Sequence, residues 1–325
     1  MVRTRWLGWW RTPVYLRARS AVTVAAVVFL GCGSPSDPTP AGPPSFEAPV
    51  DLGPPVSTAG WEDSGFISPD GATFYFTYLR FDPIRFVEDR TVIVRGPLRP
   101  GWDPADTLAA KIYRTSLVNG TWTEPQNLGD DLNIRGALNG GQWLSADGNR
   151  ILFTDPVGQP ARPTPTIYYA ERRTGGWTPA VPAPSVGFPF VPGDENPHLT
   201  LDESTLFFES SRPGGRGGPD LWMSTTTAAG WSPPVNLGAT INTAAIEGSP
   251  FSQDGVELFF DDKGSGKGIS WTRRQSDNTW RAPVVVIPGV FGDPSLTTAG
   301  DLFMIGANFT SPHPDANPFK ALRRR

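Results

Sequence analysis

A tryptophan that recurs about every fifty residues constrains this chain more than any other feature. Trp122, Trp177, Trp231 and Trp280 stand 55, 54 and 49 residues apart, and each opens a similar unit. The clearest copy begins Trp231-Ser232-Pro233-Pro234-Val235-Asn236-Leu237-Gly238 and continues with Ile241-Asn242 and Glu247. It then runs through Phe251-Ser252-Gln253-Asp254-Gly255 to Leu258-Phe259-Phe260. A repeat of this length is one supersecondary unit that buries its apolar faces only against its neighbours, so the units must stack or close into a ring.

The chemistry inside each unit is that of antiparallel strands. Ser68-Pro69-Asp70-Gly71 has the composition of a hairpin turn: Pro presets φ, Asp bonds locally to the backbone, and Gly accepts positive φ. Ser145-Ala146-Asp147-Gly148 and Ser252-Gln253-Asp254-Gly255 repeat it, with weaker copies at Thr200-Leu201-Asp202-Glu203 and Thr297-Thr298-Ala299-Gly300. An unbroken apolar run follows each turn: Phe74-Tyr75-Phe76, Ile151-Leu152-Phe153, Leu206-Phe207-Phe208, Leu258-Phe259-Phe260 and Leu302-Phe303-Met304. Such runs suit strands covered on both faces. A third strand is expected at 111–113, 167–169, 220–222 and 269–271, and helical periodicity is absent after the leader. The expected fold is therefore all-β, a five-bladed β-propeller. Phe46-Glu47-Ala48-Pro49-Val50-Asp51-Leu52-Gly53 matches the unit opening with Phe46 in place of Trp. It supplies the strand that the last unit lacks, so that an N-terminal segment closes the ring.

Ser-Pro-Asp-Gly, an apolar run, Ser211-Arg212-Pro213-Gly214-Gly215, Asp220-Leu221-Trp222 and Trp-x-x-Pro-Val-Asn-Leu-Gly together resemble the WD40-like, or PD40, repeats of TolB-type propellers. The resemblance spans residues 46–325 and implies the propeller fold. It implies little about activity, because such propellers serve as protein-binding modules, envelope scaffolds and accessory domains.

Ahead of the repeat stand five arginines, at 3, 5, 11, 17 and 19, and the apolar stretch 21–31. That stretch is about half the length a membrane-spanning helix needs, and it fits a signal peptide over residues 1–31. Phe29-Leu30-Gly31-Cys32 resembles the lipobox of bacterial lipoproteins, with Phe29 where Leu is usual. The resemblance implies lipidation of Cys32; the alternative is an ordinary secretory signal with an incidental cysteine. Residues 32–45 form a Pro-rich tether, and Gly33 after the cysteine points to the outer membrane. Without the signal arginines, 23 basic residues face 32 acidic ones, a net charge of −9. An acidic surface lacks the cations that displace counterions from phosphate backbones, so nucleic acid is excluded as a partner.

Candidate site residues lie about five positions before each turn: Glu62 and Asp63, Asn139, Asp194 and Glu195, Glu247, and Asp293. At the start of the innermost strands they converge on the central channel. There Asp63, Glu195, Glu247 and Asp293 are candidates for ligand binding or, as a carboxylate pair, for glycoside hydrolysis. Their recurrence with the repeat favours structural hydrogen bonds instead. A second candidate is the stretch from Arg80 to Ala110, which lengthens the first unit by about twenty residues relative to the fifty-residue period. Its Phe81, Arg85, Phe86 and Trp102 form a possible binding loop. Two histidines, His198 and His313, are too few for a multi-histidine metal site, and neither a metal nor a cofactor is expected. His198 is read as a packed imidazole, 261–264 as a hairpin turn, Arg212 and Asp220 as an ion pair, and 323–325 as a solvated tail.

These features lead to a non-catalytic envelope protein that binds another protein or a cell-wall glycan. The alternative is a carbohydrate-active enzyme or lectin using the channel mouth. Replacing Cys32 with Ser is expected to abolish lipid labelling and release the protein from membranes. Membrane association that survives the change excludes the lipobox.

Overall fold

The computed structural model describes residues 42–133, 138–155, 164–262, 268–309 and 314–325. The signal segment, Cys32, His313 and the centre of the 261–264 turn lie outside these. The strands form five successive antiparallel units, preceded by β1 (Val50–Asp51). The first unit holds β2 (Trp61–Ile67), β3 (Thr73–Leu79) and β4 (Ala110–Val118), edged by β5 (Thr121–Trp122) and β6 (Gln126–Asn127). The second holds β7 (Gly140–Leu144), β8 (Arg150–Asp155) and β9 (Thr166–Arg173), edged by β10 (Gly176–Trp177) and β11 (Val181–Pro182). The third holds β12 (Asp194–Leu199), β13 (Thr205–Ser210) and β14 (Asp220–Thr227), edged by β15 (Gly230–Trp231) and β16 (Val235–Asn236). The fourth is β17 (Glu247–Phe251), β18 (Glu257–Asp262), β19 (Gly268–Arg273) and β20 (Val284–Pro288). The fifth is β21 (Phe291–Leu296), β22 (Leu302–Asn308) and β23 (Asp315–Ala321).

The first strand of each unit is innermost. β2 packs on β7, β7 on β12, β12 on β17, β17 on β21, and β21 back on β2. That cyclic packing of antiparallel sheets is a β-propeller. Its ring is tied by β1, which pairs with β23 so that Val50 faces Lys320 and Asp51 faces Phe319. A bridge from Phe46 to Arg323 extends the pairing outward. Glu47 donates to the Leu322 carbonyl, and Leu52 to that of Pro318, each at 2.9 Å. The docked chain starts earlier than the sequence implied. Pro44 is buried, and the Ser45 carbonyl accepts from Arg324 N at 2.9 Å. The backbone of 323–324 is thus part of the closure rather than a loose tail.

The repeat residues have definite jobs. In the turn after β2, Ser68 Oγ and Ala72 N both donate to Asp70, and Gly71 sits at φ +74°. The weaker third copy places Glu203 at φ +56°, a conformation that costs a non-glycine residue roughly 1 kcal/mol. Its carboxylate takes a bidentate pair of bonds from Arg150. Asn133 and Asn242 act as surrogate strand residues. The Asn242 side chain accepts from Leu221 N and donates to Leu221 O, both at 2.9 Å, and Asn133 does the same to Ile112. The tryptophans pack each unit on the one before it: Trp122 lies 6.3 Å from Phe303, Trp231 5.8 Å from Phe188, and Trp280 6.2 Å from Phe207. The apolar runs form the core, with Phe74, Phe76, Phe153, Phe207, Phe208 and Phe260 buried.

One expectation fails in the extended first unit. The segment between β3 and β4 contains a helix, α1 (Pro83–Asp89), capped by Asp82, which accepts from Ile84 N and Arg85 N. Seven residues are too few for a periodicity to emerge from the sequence. Deleting residues 46–53 removes the closing strand and the buried Phe46, and is expected to lower the melting temperature by roughly 10 °C. Deleting 33–41 should leave it unchanged. Equal melting of the two deletions by calorimetry excludes strand closure.

Candidate functional site

The channel mouth is built by one backbone irregularity repeated five times. Each inner strand slips register against its partner at the same place: between Asp63 and Phe66, Gly140 and Trp143, Glu195 and His198, Gly248 and Phe251, and Gly292 and Ser295. The bulged residues Ser64, Gly141, Asn196, Ser249 and Asp293 all take φ between +47° and +56°. Four of them are not glycine, and each carries a conformational cost of roughly 1 kcal/mol that the surrounding ring holds in place. With Gln142 and three prolines they line an open bowl. Phe66, His198 and Phe251 form its floor.

This register corrects the predicted acidic ring. Asp293 is aligned with Ser64 and Ser249, and Phe291 takes the position that Glu62, Asp194 and Glu247 occupy in other units. Asp293 lines the bowl and ties three units together: it accepts from Ser249 Oγ at 2.7 Å and Ser64 N at 3.0 Å. Glu247 lies outside the bowl lining. Its carboxylate is held by Thr243 Oγ1 at 2.5 Å and Thr243 N at 2.9 Å. Asp63 and Glu195 flank the bulge, half-buried, and Asp63 accepts from Ser64 N at 2.9 Å. Glu195 faces Glu209 across the strands, and Glu209 in turn accepts from Asn196 Nδ2 at 2.9 Å.

The inner carboxylates that precede the bulge are consumed by their own units. Glu62 repeats the grip of Glu247, taking Thr58 Oγ1 at 2.7 Å, and adds Arg99 at 2.8 Å. Burial pushes its pKa up, while the Arg99 charge works in the opposite direction. Asp194 pairs with Arg212 at 2.5 Å and accepts from Val191 N at 2.8 Å, and burial raises its pKa as well. The expected Arg212–Asp220 pair is therefore replaced. Arg212 stacks 4.7 Å over Phe208 on its way to Asp194, and Asp220 accepts instead from Arg216 N and Asn236 Nδ2.

The extended segment of the first unit supplies the equivalent arginine from a distance. Arg99 lies 4.4 Å over the Tyr78 ring, donates to the Pro55 and Val56 carbonyls, and reaches Glu62. Phe81 and Trp102, expected as contact residues of a binding loop, are buried instead. Trp102 packs edge-on against Tyr78 at 5.6 Å, and its Nε1 donates to Asp106 O. Phe81 packs on Phe86 at 5.7 Å. Arg85 remains at the surface and pairs with Glu88 at 3.4 Å. The segment is a folded extension of the core, and the apolar side chains it exposes include Val92, Val94 and Leu98 at 42, 43 and 53% exposure.

Ser64, Gln142, Asn196 and Ser249 were missed as mouth residues. A signal existed: Asn196-Pro197, Ser249-Pro250 and Asp293-Pro294 recur at the same place in three units. Proline there contributes no N–H to the ladder, which marks the irregularity. His198 is packed, as expected, 4.5 Å from the Phe251 ring, with Nε2 at 2.8 Å from Ser252 O. Asp261 and Asp262 belong to β18 rather than to a turn. Among the described residues no group of three His, Cys, Asp or Glu side chains is placed to hold a metal ion.

No known family model matches this chain, and no curated protein is similar to it at a significant level. Among solved structures it is similar to TolB from Acinetobacter baumannii, with 14% identity and a TM-score of 0.45. That match covers 82% of this chain and 55% of TolB, so the chain spans about half the length of that protein. It is similar to a putative TolB from Agrobacterium tumefaciens at 14% identity and TM-score 0.43, covering 76% of this chain and 70% of that one. The catalytic domain of a Coprinopsis cinerea GH62 alpha-L-arabinofuranosidase gives 11% identity and TM-score 0.48, covering 85% and 96% of the two chains. Likenesses of this order assign neither an activity nor a partner.

The imidazole in the bowl floor has a pH signature. Burial pushes the His198 pKa down to about 4, against 6.5 in a free side chain. The folded state thus binds fewer protons than the unfolded chain between those values. The stability that neutral His198 contributes is complete above pH 6.5 and is lost as pH falls towards 4, by about 3 kcal/mol in all. Glu62, Asp194 and Glu247, with raised pKa values, act in the opposite sense and partly mask the effect. Denaturant titrations at pH 7 and pH 4 should show a smaller acid loss in His198→Gln than in the parent. Equal losses contradict the lowered pKa.

Proposed function

We propose that this chain is a lipid-anchored envelope protein, held by Cys32 at the outer membrane, whose five-bladed propeller binds a partner protein without catalysis. The observation that carries this reading is the extension of the first unit. Arg99, Trp102 and the Lys111–Asp106 pair fix it rigidly to the propeller, yet it turns Val92, Val94 and Leu98 outward. Apolar side chains on a rigid, stapled platform favour recognition, because little ordering entropy is lost on binding. Against hydrolysis stand the mouth carboxylates. Glycoside hydrolysis needs two carboxyl groups in different roles, one with an environment that raises its pKa. Asp293 is tied to Ser249 and Ser64, and Glu247 to Thr243, so both serve the fold.

The bowl supports the second reading, a lectin or carbohydrate-active enzyme. A polar rim over an aromatic floor suits a sugar, and Glu195 and Asp63 stand beside it. Photo-crosslinking in living cells separates the two. A crosslinker at Val94 or Leu98 should give a discrete protein adduct, and one at the equally exposed Leu201 on the hairpin end should give none. Adducts at all three sites argue against a dedicated surface. Polysaccharide cleavage that is lost in Glu195→Gln with the fold intact replaces this reading by the enzymatic one.

A further inference from the structure

The direction of the strands decides which end of the propeller faces the membrane. β21 runs from the bowl end to the hairpin at 297–300, β22 returns, and β23 runs down again, so Leu302 pairs with Ala321 beside that hairpin. Residues 322–325 therefore emerge at the hairpin end. β1 is antiparallel to β23, so its chain climbs from the same end, and residues 42–45 lie there too. The base of the tether and the arginines 323–325 are joined directly: Arg324 N donates to Ser45 O, and Phe46 bridges Arg323. Arg323 lies across the hairpin turn, so close that a Cβ on Gly300 would stand 2.7 Å from its Cδ.

The charge there is opposite to that of the body. All three arginines are exposed, and half-buried Lys320 stands three residues before Arg323. The acidic residues bonded to this segment are Glu47, whose N–H donates to Leu322 O, and Asp301, which Lys320 engages at 3.1 Å. Four cations against these two carboxylates make a positive corner at the tether base of a protein whose mature charge is −9, while the exposed turn aspartates Asp70, Asp147, Asp202 and Asp254 occupy the other hairpins of the same end.

We propose that Arg323, Arg324 and Arg325 form a docking patch for anionic phospholipid headgroups, which seats the hairpin end on the bilayer and turns the bowl and the Val94–Leu98 surface away from it. The proposal rests on the lipid-anchored reading. One acyl-anchored segment holds a protein near a membrane without orienting it, and a basic patch at the base of the tether supplies a second contact. Each arginine near an anionic surface contributes about a fivefold bias towards the docked state.

The test uses the lipidated protein reconstituted in vesicles of phosphatidylethanolamine with phosphatidylglycerol, or with phosphatidylcholine instead. A fluorophore is placed at Ala299→Cys on the hairpin end or at Leu98→Cys on the far end, and a headgroup-linked quencher reports proximity. Flotation with vesicles reports anchoring separately. Quenching at Ala299→Cys should be several-fold stronger with phosphatidylglycerol, while Leu98→Cys stays unquenched. Replacing the three arginines with Ser, or adding high salt, should erase the difference and leave flotation intact. Flotation without any dependence on phosphatidylglycerol or on the arginines overturns the proposal. Stronger quenching at Leu98→Cys overturns it too. Failure to float in either lipid indicts the anchor and not the patch.

Discussion

The backbone pairing between residues 45–52 and 318–324 is the constraint on which the remainder of the molecule rests. A ring of sheets has no stabilising end caps, so each unit is held only by its two neighbours until the first and last are joined. The join is made chiefly of main-chain bonds, Glu47 to Leu322, Leu52 to Pro318 and Arg324 to Ser45, with Phe46 buried as its anchor. It is supplemented inside the ring, where Trp61 and Ala316 bridge in parallel and Asp293 ties Ser249 to Ser64. Every geometric property of the channel presupposes that closure.

Within the closed ring, polar side chains are used repeatedly as internal ties. An inner-strand carboxylate is clamped by a threonine four residues earlier in the first and fourth units, Thr58 with Glu62 and Thr243 with Glu247. In the first and third units an arginine reaches such a carboxylate across aromatic rings of the second and third strands. The third unit supplies Arg212 from a short loop, and the first supplies Arg99 from its long extension. Burying a charge is costly unless it is paired and fully bonded, so each tie needs its partner in place. Acidity at the channel is thus largely the by-product of how the units are held.

The same economy divides the surface into two ends with different character. Tight, self-bonded hairpins, residues 42–45 and the exposed arginines share one end. The other carries the bowl and the stapled extension with its outward valines and leucine. Strand direction alone makes this division, since neighbouring strands deliver their loops alternately to the two ends.

Much was legible without coordinates. The fifty-residue period, the Ser-Pro-Asp-Gly turns and the aromatic runs determined an all-β ring, and the match of Phe46–Gly53 to the unit opening determined its closure. These are local or repeated signals, and repetition amplifies them. What the sequence could not show depends on register and on distance. A one-residue bulge decides that Asp293 lines the channel and Glu247 does not. The prolines after Asn196, Ser249 and Asp293 mark its place in the sequence, but the register that turns each side chain is set by pairing across the sheet. Arg212 meets Asp194 rather than Asp220 because the loop folds back over Phe208, a choice made by packing. Phe81 and Trp102 looked like binding residues because they sit in an insertion, and tertiary contacts with Phe86 and Tyr78 took them into the core. Periodicity determines which strands exist; only the closed ring, by fixing register and bringing distant loops together, decides which side chains are left facing the solvent.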